Sequence, residues 1–364
     1  MKKLTVLLFA ATMLVFAGCK KEEVKPNTPT PGPQPQQEDP DQPGLYSPSA
    51  KIATVTVDDV LSEVWNWDAE GRLTGVDDAD GNEQVGFTYD DQSRVSTMTI
   101  NGDEQLSGTM SVSYNGTLIK RLSLSSGGVE VLGADVKYDG NKVSKATLTV
   151  GDNMVLDMFD SILAQYLGEM GGDSATTIPS MELDTVSGSI NFSWAGDNVN
   201  LTVMKINAEL KTTIGTIVSL VPDMSVFGTL GTLVQMVAQS NPDLPVYIEV
   251  AMTDSADFTY NTTYINPMRH YMGQMITMDE NFPRFEIATL TKNPVDVEHH
   301  LRTAVVKLKA AIMSTNPTEL FSQEMPIPES YMSYTYATTR SDLRPESVTS
   351  SDYHVKTFTY KANK

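Results

Sequence analysis

From about residue 50 to the C-terminus, polar and apolar residues alternate in short runs, and the runs close on a recurring mark. The mark is a pair of aromatic or apolar residues two positions apart, followed at once by Asp, Asn, Gly or a neighbour of one of these. Its copies are Trp65 and Trp67, Phe87 and Tyr89, Val112 and Tyr114, Val136 and Tyr138, Phe192 and Trp194, Phe258 and Tyr260, Tyr334 and Tyr336, and Phe358 and Tyr360. Alternation with period two marks a half-buried strand, and residues two apart on a strand share a face. The segments that follow include Asp68-Ala69-Glu70-Gly71, Asp90-Asp91-Gln92-Ser93, Asn115-Gly116, Asp139-Gly140-Asn141 and Ala195-Gly196-Asp197-Asn198. Asp, Asn and Gly reach positive φ at low steric cost, so each copy predicts a hairpin and the series predicts a long antiparallel meander.

The first four copies recur about every 22 to 25 residues, enough for two strands and two turns, and later gaps are wider. Strands in this number exceed the roughly ten at which an open twisted sheet curls or splits. The expected fold is mainly β: a meander of hairpin repeats, curled or split into two layers, with two or three helical insertions packed on one face. The insertions fall near 151–185, 207–245 and 268–325. Met154, Val155, Met158, Phe159, Ile162, Leu163, Tyr166 and Leu167 have helical spacing and stop at Gly171-Gly172. Residues 207–240 read as two helices broken at Pro222-Asp223, with Leu210, Ile214, Ile217 and Val218 on the first and Val226, Leu230, Leu233, Val234 and Val237 on the second. Residues 295–313 fit helix or strand by period, and Pro294 tips the reading to helix.

The run Trp67-Asp68-Ala69-Glu70-Gly71-Arg72-Leu73-Thr74, then Asp80-Gly81 and Phe87-Thr88-Tyr89-Asp90, resembles the YD repeat of Rhs-type proteins. The resemblance covers residues 65–150; later copies keep the aromatic pair and lose Gly-Arg-Leu. Degenerate forms of the repeat occur in Bacteroidetes outer-membrane lipoproteins of unknown function, which this chain looks like. The resemblance implies antiparallel β structure and carries no catalytic residue across.

The N-terminus changes the picture from fold to address. Lys2 and Lys3 precede the apolar run Leu4 to Phe16, too short to span a bilayer as a helix. Ala17-Gly18-Cys19 follows and resembles a lipobox, so residues 1–18 are expected to be a signal peptide and Cys19 the lipidated residue. Cys19 is the one cysteine of the chain, which excludes an internal disulfide. Lys20-Lys21-Glu22-Glu23 resembles the export tail of surface lipoproteins in the Bacteroidetes, placing the chain on the outer membrane, facing the exterior or, failing that, the periplasm. Eight of the 19 prolines lie between residues 24 and 48. Residues 19–48 therefore form an extended tether, and 49–364 the folded body.

Formal net charge is −20, and loss of Lys2 and Lys3 with the signal makes it more negative by two. So acidic a body, with no basic cluster, argues against nucleic acid as a partner. There is no Gly-x-Ser-x-Gly elbow, no Walker lysine and no His-Glu-x-x-His, and no cofactor is implied. His299 and His300 follow Glu298, but adjacent residues diverge and no metal site is expected. Asp254-Ser255-Ala256 resembles the short acceptor sites of O-glycosylation in Bacteroides. No catalytic residue stands out. The expected function is a surface-displayed, non-enzymatic binding or structural module for a glycan, peptide or partner protein, with Trp65 and Trp67 as candidate sugar-stacking residues. A carrier of a lipid or other hydrophobic ligand under the 207–240 helices is the alternative, and a glycan hydrolase the second.

Overall fold

Each aromatic mark closes a strand, and each such strand is every second stave of one closed wall. A computed structural model describes residues 51–101, 107–151, 182–220, 229–271, 276–279, 282–285, 287–311, 316–326 and 329–361. The predicted helix over 152–170, the signal, Cys19 and the tether lie outside them. The wall runs β1 (Ile52–Val57), β2 (Val60–Trp67), β3 (Leu73–Asp77), β4 (Glu83–Tyr89), β5 (Val95–Ile100), β6 (Gly108–Asn115), β7 (Leu118–Ser126), β8 (Val129–Asp139) and β9 (Lys142–Val150). Longer strands follow: β10 (Glu182–Ala195), β11 (Asn198–Thr213) and β12 (Pro245–Tyr260). A small hairpin, β13 (Ile276–Asp279) and β14 (Phe282–Phe285), precedes β15 (Val295–Ala310), and β16 (Thr318–Pro326), β17 (Ser330–Ala337), β18 (Ser347–Ser350) and β19 (Val355–Tyr360) complete the chain.

Successive staves pair antiparallel around the wall, and β1 pairs with β2 on one edge and β19 on the other. The result is a closed barrel of 16 staves, in which β16 lies along the far half of β15 and β17 along its near half. This corrects the expectation of a meander curled or split into two layers with helices packed on one face. Closure pairs β1 on both edges, so the first and last strands of the sheet do not end in free edges that would need protection. The two ends of the chain supply the closing pair, from Ile52 opposite Tyr360 to Val57 opposite Lys356, a fact that no local pattern carries.

Among the described residues α-helix is confined to α1 (Ile214–Leu220) and α2 (Thr229–Ser240), with a 3-10 turn at Ile287–Thr289. The expected first helix loses its opening residues to the sheet. Ala208, Leu210 and Thr212 are buried alternately and β11 runs unbroken to Thr213, where β-branched residues cluster. Residues 295–310 are strand, not helix: Val295, Glu298, His300 and Ala310 are buried at spacings that fit two-fold alternation interrupted by one bulge. Ile214, Ile217, Val234 and Ala238 pack on Val246 and Ala310 at the top of the long strands, making the helices a fixed cap.

The wall turns its apolar face inward. Leu122, Leu124, Leu132, Ala134, Ala146, Ile190 and Val199 are all buried. Thr99, Ser111, Ser113, Thr147, Asn191 and Ser193 occupy the alternate, exposed positions. A barrel built to cross a bilayer carries an apolar band outside. This exterior is rich in hydroxyls and cannot face lipid tails.

The aromatic marks line one rim. In seven of the eight copies the second aromatic sits at a register shift, as between Asn66 and Trp67, Thr88 and Tyr89, or Ser193 and Trp194. The bulge re-aims that side chain toward the preceding repeat. Trp67 Nε1 donates to the Ile52 carbonyl at 2.8 Å, Tyr89 Oη to Leu73 at 2.6 Å, Tyr114 Oη to Val95 at 2.7 Å and Trp194 Nε1 to Val143 at 2.7 Å. Tyr260, Tyr336 and Tyr360 donate likewise to Val199, Val295 and Pro345. The turn completes the unit. Asp68 accepts from the backbone N–H and the guanidinium of Arg72, both at 2.7 Å, while Gly71 takes φ +82°. Arg72 then covers the ring of Tyr89 in the next repeat at 4.9 Å, as Arg94, held by Asp90, covers Tyr114 at 4.3 Å. Burial pushes the Tyr89 hydroxyl up to about 12, so it remains a donor. Asp, Gly, Arg and Tyr therefore recur because each repeat fastens the one before it.

The segment joining β12 to β15 starts and ends at this rim and folds across it. Ile265 N–H bonds the Leu343 carbonyl at 3.0 Å and Lys292 N–H the Asp197 carbonyl at 3.2 Å. Tyr271 is buried against Trp65, ring centroids 4.5 Å apart. Asn293 and Asn198 exchange bonds of 3.0 and 3.1 Å. The aromatic rim is thus plugged.

Candidate functional site

The inward face of β12, β15 and β17 departs from the apolar rule. Register places Asp254 opposite Arg302, Ala256 opposite His300 and Phe258 opposite Glu298, all on the inner side. His300 Nδ1 lies 3.1 Å from both oxygens of Asp254, and Arg302 Nε donates to Asp254 at 3.2 Å. Tyr334 Oη donates to Glu298 Oε1 at 3.0 Å. Phe258 meets the His300 ring edge-on at 6.2 Å. Glu298 is 8% and His300 7% exposed.

Burying ionised groups costs several kcal/mol each unless partners compensate, so such a cluster is a candidate site. Burial alone would raise the Asp254 carboxyl; the His300 hydrogen bond and the charges of His300 and Arg302 outweigh it and hold the group below the usual carboxylate range. Asp254 is thereby fixed as an acceptor, and Nδ1 of His300 as the donor that faces it. The other ring nitrogen, Nε2, is fully buried and has no hydrogen-bond partner. Ser330 lies opposite His300 on β17, yet with Nε2 unpartnered no Asp–His–Ser relay is assembled. Among the described residues no three His, Cys, Asp or Glu side chains converge as metal ligands.

Above the cluster, toward the capped end, the same face carries Met204 and Ile206 on β11 and Ile248, Val250 and Met252 on β12. These side chains are half-buried, as Val136 and Val150 are on the inner face of β8 and β9.

The rim opposite the plug, which carries the α1–α2 cap, is acidic. Its described turns contain Asp58, Asp59, Asp78, Asp80, Asp243 and Asp352 and no Lys or Arg. Val60, Leu61, Val129, Met236 and Tyr353 are exposed on hairpin tips and on α2 at this end. The β1–β2 and β18–β19 turns are tied together: Val355 N–H donates to Asp58 at 2.8 Å and His354 Nδ1 lies 2.8 Å from its other oxygen. That bond, with the nearby Asp352, raises the His354 pKa.

Of the residues singled out from sequence, Trp65 is 1% exposed, its indole N–H bonded to Glu63 at 2.8 Å, and Trp67 is half-buried in the rim ladder. The two lie at the plugged end, away from the charged cluster. His299 and His300 diverge as expected of adjacent strand residues. His299 faces outward to Asp257 at 3.0 Å and Glu329 at 3.3 Å. The signal missed in the sequence is Glu298-x-His300-x-Arg302, a charged stripe with period two, which the helical reading of that segment hid. Asp254 was visible only as part of a glycosylation-like triplet.

Comparison with known proteins is sparse. The RHS Repeat family matches residues 67–103, which run from Trp67 through the second turn box and β5. This supports the repeat reading of the first copies. No curated protein matches the chain.

Proposed function

We propose that the protein is a lipid-anchored, surface-displayed binding module that presents its acidic rim, the one opposite the plug, to a partner protein with a basic and partly apolar face. The carrying observation is the asymmetry of the two rims. The first strand starts at the plugged rim, where the tether from Cys19 would join the body, so the acidic rim with Tyr353, Val60 and Leu61 would point away from the membrane. Exposed apolar tips beside acidic turns suit a partner of opposite charge, which steers encounter and fixes register. The buried apolar face of α1 and α2 favours this reading over a carrier that opens beneath them.

A photo-crosslinking residue placed at Tyr353 in the full chain, on intact cells, is expected to capture a discrete protein that the same residue at Glu70, on the plugged rim, does not. No capture from either position, or equal capture from both, would sink the proposal. Cys19→Ser is expected to move the chain from the membrane fraction to the soluble one.

A further inference from the structure

The wall has a gap beside its shortest stave. β16 and β17 together follow β15, with Thr318 to Pro326 opposite Ala310 to Thr303 and Ser330 to Ser333 opposite His300 to Val297. On the other edge of that stave β18 covers only Tyr334 to Ala337, and the Ser351 N–H adds a last bond to the Ser333 carbonyl at 2.8 Å before the chain turns into β19. Among the described residues no strand pairs with the outer edge of β16. We infer that this edge takes up an extended, basic segment of the partner protein as an added strand. The inference rests on the reading of the acidic rim as the docking end, because exposed Tyr353, two residues past Ser351, stands at the foot of the gap.

Three observations carry it. First, the nine residues of β16 run about 30 Å, and an edge of that length offers a row of backbone N–H and C=O groups that another strand can pair. Second, the edge is charged in one sense. With the bulge at Leu320, Glu319, Ser322 and Glu324 fall on successive outward positions, and all three are exposed. Lys309 and Lys307, opposite Glu319 and Ser322, are turned the other way: Lys307 bonds Glu249 at 3.3 Å, and Lys309 bonds Glu209 at 3.2 Å and Glu249 as well. Glu319 and Glu324 therefore have no cation bonded to them among the described residues. A strand with Lys or Arg at alternate positions supplies one to each, and unlike charges opposed across a pair stabilise it. Exposed Tyr331 and Leu301 flank the lower end of the same outward face and suit an apolar residue there.

Third, other occupants fail on the same chemistry. A second copy would set Glu319 and Glu324 among their own counterparts, and like charges opposed across strands are destabilising. Between Pro26 and Pro48 no run of more than four residues is free of proline, which lacks the donor a ladder needs. Residues 152–181 hold five acidic residues and no Lys or Arg.

The test uses the full chain at pH 7 and low ionic strength, with an end-blocked octapeptide of alternating Lys and Val as the probe. The peptide is expected to bind and to slow amide exchange along Thr318–Pro326. The same peptide N-methylated at every backbone nitrogen keeps its charge and loses its donors, and is expected to bind at least about tenfold more weakly. Glu319→Lys combined with Glu324→Lys, both at exposed positions, is expected to weaken the Lys-Val peptide about tenfold and to favour an alternating Glu-Val peptide instead. Absence of Lys-Val binding, equal affinity for the N-methylated form, or an unaltered preference in the double variant would each overturn strand addition. Capture from Tyr353 on cells beside any of these results would leave the rim reading in place and remove only its mode. No capture, with the peptide results as expected, would remove the rim reading and keep the edge as the binding element.

Discussion

Staves β2 to β9 and staves β10 to β17 share one rim chemistry and use their interiors differently. The former are 5 to 11 residues long, and their buried inward positions are apolar, from Trp65 to Leu148. The latter include strands of 14 and 16 residues, and midway along them Leu-like positions are replaced by Asp254, Glu298, His300 and Arg302. At the rim, Tyr260 and Tyr336 make the bond that Tyr89 and Tyr114 make. The aromatic mark is therefore the part of the repeat that closure requires. The inward stripe is free to change, and it changes where local rules for a stable core are broken together, as happens at functional sites.

The widest gap between the halves should come from one residue type. Asp254→Ala removes the anion that both His300 and Arg302 face in a buried setting, and is expected to cost about 3 to 5 kcal/mol in chemical denaturation. Asp68→Ala removes a turn carboxylate at the rim and is expected to cost about 1 kcal/mol. Equal losses would erase the distinction between a buried cluster and a turn box. A smaller effect should be shared: Tyr89→Phe and Tyr260→Phe each strand one carbonyl and are expected to cost about 1 kcal/mol, alike in both halves. A large loss from one of them alone would show that the rim is not a common device.

The finest contrast is in acid. The folded carboxyl of Asp254 lies below its ordinary value, so its contribution is complete above the unfolded value near about 3.9 and is lost as pH falls from there through the folded one. Asp254→Asn should flatten that part of the stability curve below about pH 4. An unchanged slope would mean that carboxylates elsewhere, such as Asp68 and Asp90, dominate acid unfolding.

Much of this architecture was legible in the chain. Aromatic pairs, turn residues and Gly71-Arg72 gave strands, hairpins and their repetition, because each is set by residues close in sequence. Closure was not legible, since Ile52 meets Tyr360 only across the whole chain. Nor was the cluster: Glu298, His300 and Arg302 share a face only on a strand, and residues 295–313 satisfied helical spacing equally well. Asp254 reaches His300 from a strand more than forty positions earlier, beyond any local motif.

Closure also decides how the molecule bears load. β1 is bonded along both edges, to β2 and β19, and Lys361 N–H reaches the Lys51 carbonyl at 2.8 Å just where the body begins. A pull delivered through the preceding residues runs along the axis of β1, so the bonds on both its flanks are sheared together and cannot be peeled one at a time. On the proposed lipid-anchored reading, a body dragged by flow would meet that force at a stave held along both edges.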